Sequence, residues 1–363
     1  MEKWKKEGII MELKEMIVAL SGLMSVSGYT RKSGDKLKAL LDGIFDENYT
    51  DAVGNHVFVR RCGKENAPRI LIDTHFDEVG MMVTDVREGG FVTVVNVGGL
   101  DMRILQAAEV VIYGEDEFGC EKEIYGVVTS TPPHLTRPGE AKKLKEIGEL
   151  FIDTGYDKAE LEKYVHIGTP VGYRPIYRTL LNDRISGKGF DCKSCGACAA
   201  VAVAETPREH LAGDVYLVFA NFEETSACGG IDAAAYAIDP DYALVADVTH
   251  AVMPGDPLKE PKLGGGVSFT LAPITNRPLT KKLMSLAENA NVKVQKEVAS
   301  RSTGTDTVSL NLIRAGVPTV DIGLPLRNMH TYNEILSLAD AEAMTECIRL
   351  FITSDEIAGV FKK

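Results

Sequence analysis

The chain lacks most of the features that quickly assign a sequence to a class. It has no surplus of basic charge: 40 Lys and Arg stand against 52 Asp and Glu, a formal charge of -12. Phosphate backbones and anionic lipids are bound by clustered cations, so nucleic-acid and membrane partners are not expected. No apolar run reaches the roughly 18 residues needed to cross a bilayer. The nearest candidate, Met16–Gly28, is preceded by Glu12 and Glu15 where a secretory signal carries basic residues. Leu13, Met16, Ile17, Leu20 and Met24 recur at helical spacing, which predicts an amphipathic helix there. The seven cysteines are odd in number and scattered, which argues against a disulfide framework and for the reducing cytoplasm. Fixed-period repeats and low-complexity segments are also missing.

What is present points to an α/β protein. Hydrophobic residues make up 45% and charged residues 25% of 363 positions, too long a chain for one ordinary core. Short apolar runs at Arg69–His75, Val215–Glu224, Tyr242–His250 and Val317–Pro325 read as buried strands. Between and after them, Ala197–Glu205, Ile231–Ile238, Thr280–Asn289, Thr307–Ala315 and Asp340–Thr353 have helical patterns. Asp340 is placed to cap the last helix and Gly316 to close the one before the last strand. From about Val79 to Gly172 the texture changes to short alternating runs rich in Val, Gly and Thr, which predicts an inserted β-barrel or sandwich. Inside it, "TPPHLTRPGEAKKLKEIGE" reads as an exposed loop.

The buried strands end in metal-ligand chemistry. The first ends at His75, followed by Asp77; the second at Glu223–Glu224; the third carries Asp247; the fourth leads to His330. Ligands of open α/β sheets bind at the carboxyl ends of strands, so these side chains are delivered to one edge. Imidazoles and carboxylates of this kind hold divalent ions, and Asp191, at the start of a helix, supplies a carboxylate able to bridge two. Two consecutive glutamates suit two jobs, one binding and one moving protons. Cys192, Cys195 and Cys198 follow Asp191 in a C-x-x-C-x-x-C run like that of bacterial ferredoxins. On a helix they fall on one flank, each about 60° from the last. No fourth cysteine follows, so the thiols are expected to pack against the sheet.

On these residues the chain resembles the tetrahedral (TET) aminopeptidase family of cobalt- or zinc-dependent metallopeptidases, which includes glutamyl aminopeptidases and proteins once labelled endoglucanases. The resemblance runs over nearly the whole chain, through "DAVGNHVF" (Asp51–Phe58), "THFDEVGMMV" (Thr74–Val83), "LFIDTGYDKAEL" (Leu150–Leu161), "GKGFD" (Gly187–Asp191), "FEET" (Phe222–Thr225), "ADVTHA" (Ala246–Ala251), "TGTDT" (Thr303–Thr307) and "PLRNMHT" (Pro325–Thr331). It implies a mixed sheet flanked by helices, formed by residues 1–78 and 172–363, with a dimerisation barrel inserted at 79–171. It also implies two divalent ions, zinc or cobalt, and peptide substrates. His75 and Asp247 would hold one ion, Glu224 and His330 the other, with Asp191 between. Glu223 would be the general base and Asp77 would orient the His75 imidazole. Such proteins assemble from dimers, often into dodecamers.

The chain departs from that pattern at Cys192, Lys193 and Cys195, in the run Thr225–Gly230 and at Asn328, which line the cleft without removing a ligand. Cys228, near the glutamates, adds a thiol open to oxidation. His134 and His250 are expected to be peripheral, and Asp306 to cap a helix. A hydrolase of other amides, a non-catalytic assembly subunit and an iron–sulfur carrier stand as alternatives; the intact Glu223 and five ligands weigh against the second. Removal of Cys195 is expected to leave metal content unaltered, and a fall measured by elemental analysis would restore the cysteine clip.

Overall fold

The computed structural model describes residues 11–136, 143–225, 229–255 and 261–359. Among them, eight strands form one mixed sheet in the spatial order Glu47–Thr50, His56–Arg60, Asp214–Ala220, Arg69–His75, Tyr242–His250, Thr319–Leu326, Val267–Leu271 and Val294–Val298. The four central strands, from Asp214–Ala220 to Thr319–Leu326, run parallel, so their carboxyl ends share one edge. The flanking pairs include antiparallel neighbours.

Continuous apolar runs arise because both sheet faces are covered. Ile70, Ile72, Leu217, Phe219, Leu244 and Ala246 face one core. Their neighbours Leu71, Val218, Val245 and Ala243 face another, beneath the helix Ile231–Ile238. The first core is roofed by the helices Leu13–Ser21, Phe190–Glu205 and Leu338–Thr353, packed side by side. Every residue from Phe190 to Val203 is buried, which accounts for the run of Ala, Gly and Cys: a helix enclosed on all sides has room only for small side chains.

The segment after Val79 closes into a six-stranded barrel, in the order Gly80–Val86, Val92–Val97, Phe151–Asp153, Glu121–Thr129, Glu109–Glu115 and Pro170–Tyr173. Its own core includes Val83, Val94, Val110, Ile112, Ile124 and Ile152, and closure leaves no free edge. Of the loop expected inside it, Pro133–Leu135 and Ile147–Glu149 are single 3-10 turns and His134 is exposed; residues 137–142 lie outside the described set.

Several expected boundaries shift. The amphipathic helix spans Leu13–Ser21, burying Met16, Ile17 and Leu20, while Met24 is buried beyond its end. The second strand stops at Ala220 instead of reaching Glu224, and the fourth runs Thr319–Leu326. Only Thr307–Leu310 of the Thr307–Ala315 pattern is helical; Arg314 then takes a left-handed backbone, φ +53. Asp340 is not a cap: its carboxylate accepts from the backbone N–H of Gly264 and Gly266, both at 2.7 Å, and so fastens a neighbouring loop. No helix of the described residues is long and apolar enough to cross a membrane.

Gly196 marks where the central helix meets the sheet. A Cβ there would lie 2.4 Å from Phe219 Cε1, and that ring is held edge-on between Phe58 and Phe76. Gly196→Ala gains about 1 kcal/mol of helix propensity but overpacks the core at about 1–3 kcal/mol. The melting temperature is expected to fall; an unchanged or higher value would show that the ring stack yields.

Candidate metal centre

The parallel register brings the expected side chains together. His75 ends its strand opposite Ala220, and pairing of Val245 with Asp73 places Asp247 level with His75. The chain then leaves the Phe219 strand through Asn221 and Phe222, the latter at φ +68, so Glu223 and Glu224 sit in a turn. That turn is tied from several sides. Asn55 Oδ1 accepts from Asn221 N–H at 2.9 Å, and Asn55 Nδ2 donates to the Gly230 carbonyl at 2.7 Å. Asp51 holds Asn55 in place by accepting from its backbone and side-chain N–H groups, which gives "DAVGNHVF" a structural reason.

The Asp77 carboxylate completes the anchoring. Its two oxygens accept from the backbone N–H groups of Glu223 and Glu224, each at 3.2 Å. Asp77 therefore meets His75 differently from the sequence expectation. The His75 Nδ1–H donates to the Asp77 main-chain carbonyl at 2.9 Å, while the Asp77 carboxylate lies 3.8 Å away. The side chain grips the glutamate turn and the backbone orients the imidazole.

Asp191 lies between the two histidines. Its Oδ1 is 2.9 Å from His75 Nε2 and its Oδ2 is 3.3 Å from His330 Nε2. His75 Nε2 is also 3.5 Å from Asp247 Oδ1, and His330 Nε2 is 3.3 Å from Glu224 Oε2. The His330 Nδ1–H donates at 2.9 Å to the carbonyl of Gly99, in the barrel. Both rings are thus anchored by one nitrogen to a carbonyl and present the other to carboxylates, the arrangement in which imidazole ligates metals. Among the described residues, three donor groups have their ligand atoms within 4.8 Å of one another: His75–Cys192–Asp247, His75–Glu223–Glu224 and Asp191–Glu224–His330. This set of nitrogen and carboxylate donors fits divalent cations.

The electrostatics follow from crowding acids out of water. Burial alone would raise the Asp191 carboxyl, but hydrogen bonds and charge from His330 and His75 outweigh it and hold the group well below the usual range. Burial also pushes Glu224 up, with the Asp191 charge adding to the effect. Glu223 rises to about 7 through burial, opposed by His75 and reinforced by Asp247, Asp191 and Asp77. Burial depresses the two imidazoles, yet the surrounding carboxylates win and raise both.

Other residues surround and hold these ligands. Glu334 is buried and accepts from the backbone N–H of Phe190 at 2.6 Å, Asp191 at 3.3 Å and His330 at 3.1 Å, tying two of the loops together. Its carboxyl is lifted to about 8 by burial and then by Asp191. Glu78 pairs with Lys188 at 2.6 Å and Lys193 at 3.0 Å, all three buried, beneath the Gly189 turn that launches Asp191. Glu78 within "THFDEVGMMV" and Lys188 within "GKGFD" fall in stretches that carried the resemblance, but nothing in the sequence marked them as partners. Asp306 makes no cap bond; it is buried facing Asp73, and burial followed by the Asp73 charge raises it well above the usual range. His250 is exposed at its strand end. Cys195 and Cys198 are free thiols packed in the core, whereas Cys192 reaches the His75–Asp247 group. Cys228 lies outside the described residues.

A lysyl aminopeptidase of Pyrococcus furiosus is 31% identical over 344 residues, 93% of this chain and 94% of that one. The crystal structure of a TET aminopeptidase from a marine sediment Thaumarchaeota archaeon superposes with a TM-score of 0.86 at 28% identity, over 96% of this chain and 99% of the other. The Pyrococcus horikoshii TET1 peptidase, described as assembling into a tetrahedron or a large octahedral shell, matches with a TM-score of 0.81 at 25% identity, over 94% and 100%. The sequence profile of the M42 glutamyl aminopeptidases matches residues 54–347, and the chain belongs to that family of peptidases.

Proposed function

We propose that the chain is a dinuclear metal-dependent aminopeptidase that releases amino-terminal residues from peptides. The observation that carries this reading is the Asp191 carboxylate, whose two oxygens face two imidazoles from separate strand ends. One carboxylate shared in this way is how a two-cation site is built. His75 and Asp247 would hold one ion, Glu224 and His330 the other, and Asp191 would bridge them; zinc or cobalt suits these donors. Such ions supply an acidified water and polarise the scissile carbonyl.

The protein's own groups do the rest. Glu223, in the turn held by Asp77, takes the proton of the attacking water and returns it to the leaving amine. A carboxylate that sits beside both candidate ion positions without being needed as a ligand is suited to both transfers. Asp77 is a positioning residue that fixes Glu223, Glu224 and His75 at once. Glu334 does the same for Asp191 and His330. The cleft beside Asp191, Glu224 and His330 is walled by Tyr173 and Val79, and its acidic lining favours a protonated α-amine. By likeness to the Pyrococcus horikoshii peptidase, which assembles into a tetrahedron or a large octahedral shell, the chain forms larger homo-oligomers; the family resemblance assigns dimer formation to the insert at 79–171, which interrupts the catalytic unit.

Glu223→Gln is expected to keep its metal while turnover falls about a hundred- to ten-thousandfold. Undiminished release of amino acids would remove Glu223 as the base. Asp191→Asn should empty both positions, read as metal per subunit by elemental analysis, and a variant that kept its full metal would break the bridging assignment. Across a peptide panel, blocked amino termini should abolish cleavage; preference for them would place the enzyme among other amide hydrolases.

A further inference from the structure

The two sets of ligands differ in chemical character. The His330 group offers one nitrogen and carboxylate oxygens, whereas the His75 group adds a sulfur. Cys192 Sγ, a His75 ring nitrogen and an Asp247 carboxylate oxygen lie within 4.8 Å of one another, and all three residues are buried. The backbone explains why this thiol reaches the site while its neighbours do not. Asp191 and Cys192 have non-helical angles, φ -75, ψ 111 and φ -105, ψ 18, before the regular helix begins. Cys192 is thereby turned to the strand, where its S–H donates to the Ala246 carbonyl at 3.1 Å, one residue before Asp247. Cys198 instead donates across to Ala341, and neither it nor Cys195 joins a donor group.

We propose that Cys192 is a thiolate ligand of the cation held by His75 and Asp247. The proposal rests on the dinuclear reading above and adds a ligand to it. On binding, a sulfur lone pair bonds to the cation, the S–H proton leaves to solvent, and the hydrogen bond to Ala246 is given up. Thiolate donors favour zinc and cobalt over manganese and magnesium, which prefer oxygen. The His75 position is then the softer and more selective of the two, and the His330 position the more permissive.

The test uses the full chain, stripped of metal and reloaded with cobalt to a ratio fixed by elemental analysis. The wild type should show a near-ultraviolet sulfur-to-cobalt charge-transfer band that Cys192→Ser and Cys192→Asp both lose. In competition, manganese should displace the tighter zinc ion from either variant at about ten- to a hundredfold lower excess. Circular dichroism checks that the variants fold. X-ray absorption of the wild type carrying one zinc per subunit needs no variant and should show a sulfur neighbour at about 2.3 Å. Two bound cobalt ions without a sulfur band, or a band that survives Cys192→Ser, would overturn the thiolate and leave the dinuclear site standing. Failure to bind cobalt at all would overturn both.

Discussion

The organising constraint of this molecule is a concentration of negative charge in a place with little water. Asp77, Asp191 and Asp247 are almost wholly buried, Glu223 and Glu224 are partly so, and two imidazoles are all that stands among them. Removing a carboxylate from water is expensive unless it is paired, so the surrounding structure is arranged to offset it. Backbone N–H groups face Asp77 and Glu334, buried lysines face Glu78, and the histidines are pulled toward their protonated form. The remaining imbalance is the kind that cations remove, which links the cost of folding to the capacity to hold metal.

This constraint explains why the site spans so much of the chain. Parallel strands supply the base of the cleft, but none of them alone can crowd carboxylates this closely. Several ligands are held by residues distant in sequence: the glutamate turn by Asp77 and Asn55, Asp191 by Glu334, and His330 by Gly99. The packing layer above serves the same end, since a helix of small residues lets Asp191 approach the strand edge.

The parts legible in the sequence were those governed by local pattern. Strands Arg69–His75 and Tyr242–His250 stand out as unbroken apolar runs because both their faces are buried. The converging ligands were readable because four of the five sit at, near or beyond the end of a buried strand and the fifth, Asp191, opens a helix. Contacts over long separations were not. Where the second strand yields to the glutamate turn depends on Asp77, 146 residues before Glu223. Asp340 looked like a cap because a cap needs only neighbours, yet its partners lie 74 and 76 residues back. Cys192 was hidden for a different reason. Helical periodicity assigned it a flank with Cys195 and Cys198, but periodicity starts only after the non-helical residues at the helix entry.

The Gly99 carbonyl gives the inserted barrel a second identity. By accepting the hydrogen bond of His330 Nδ1–H, it favours the Nδ1–H tautomer of an imidazole whose other nitrogen faces Asp191 and Glu224. The aim of that lone pair therefore depends on where the insert places Gly99 as well as on Glu334, which holds the His330 backbone. A group of the insert is thus among those that hold a candidate ligand in place at the sheet's edge.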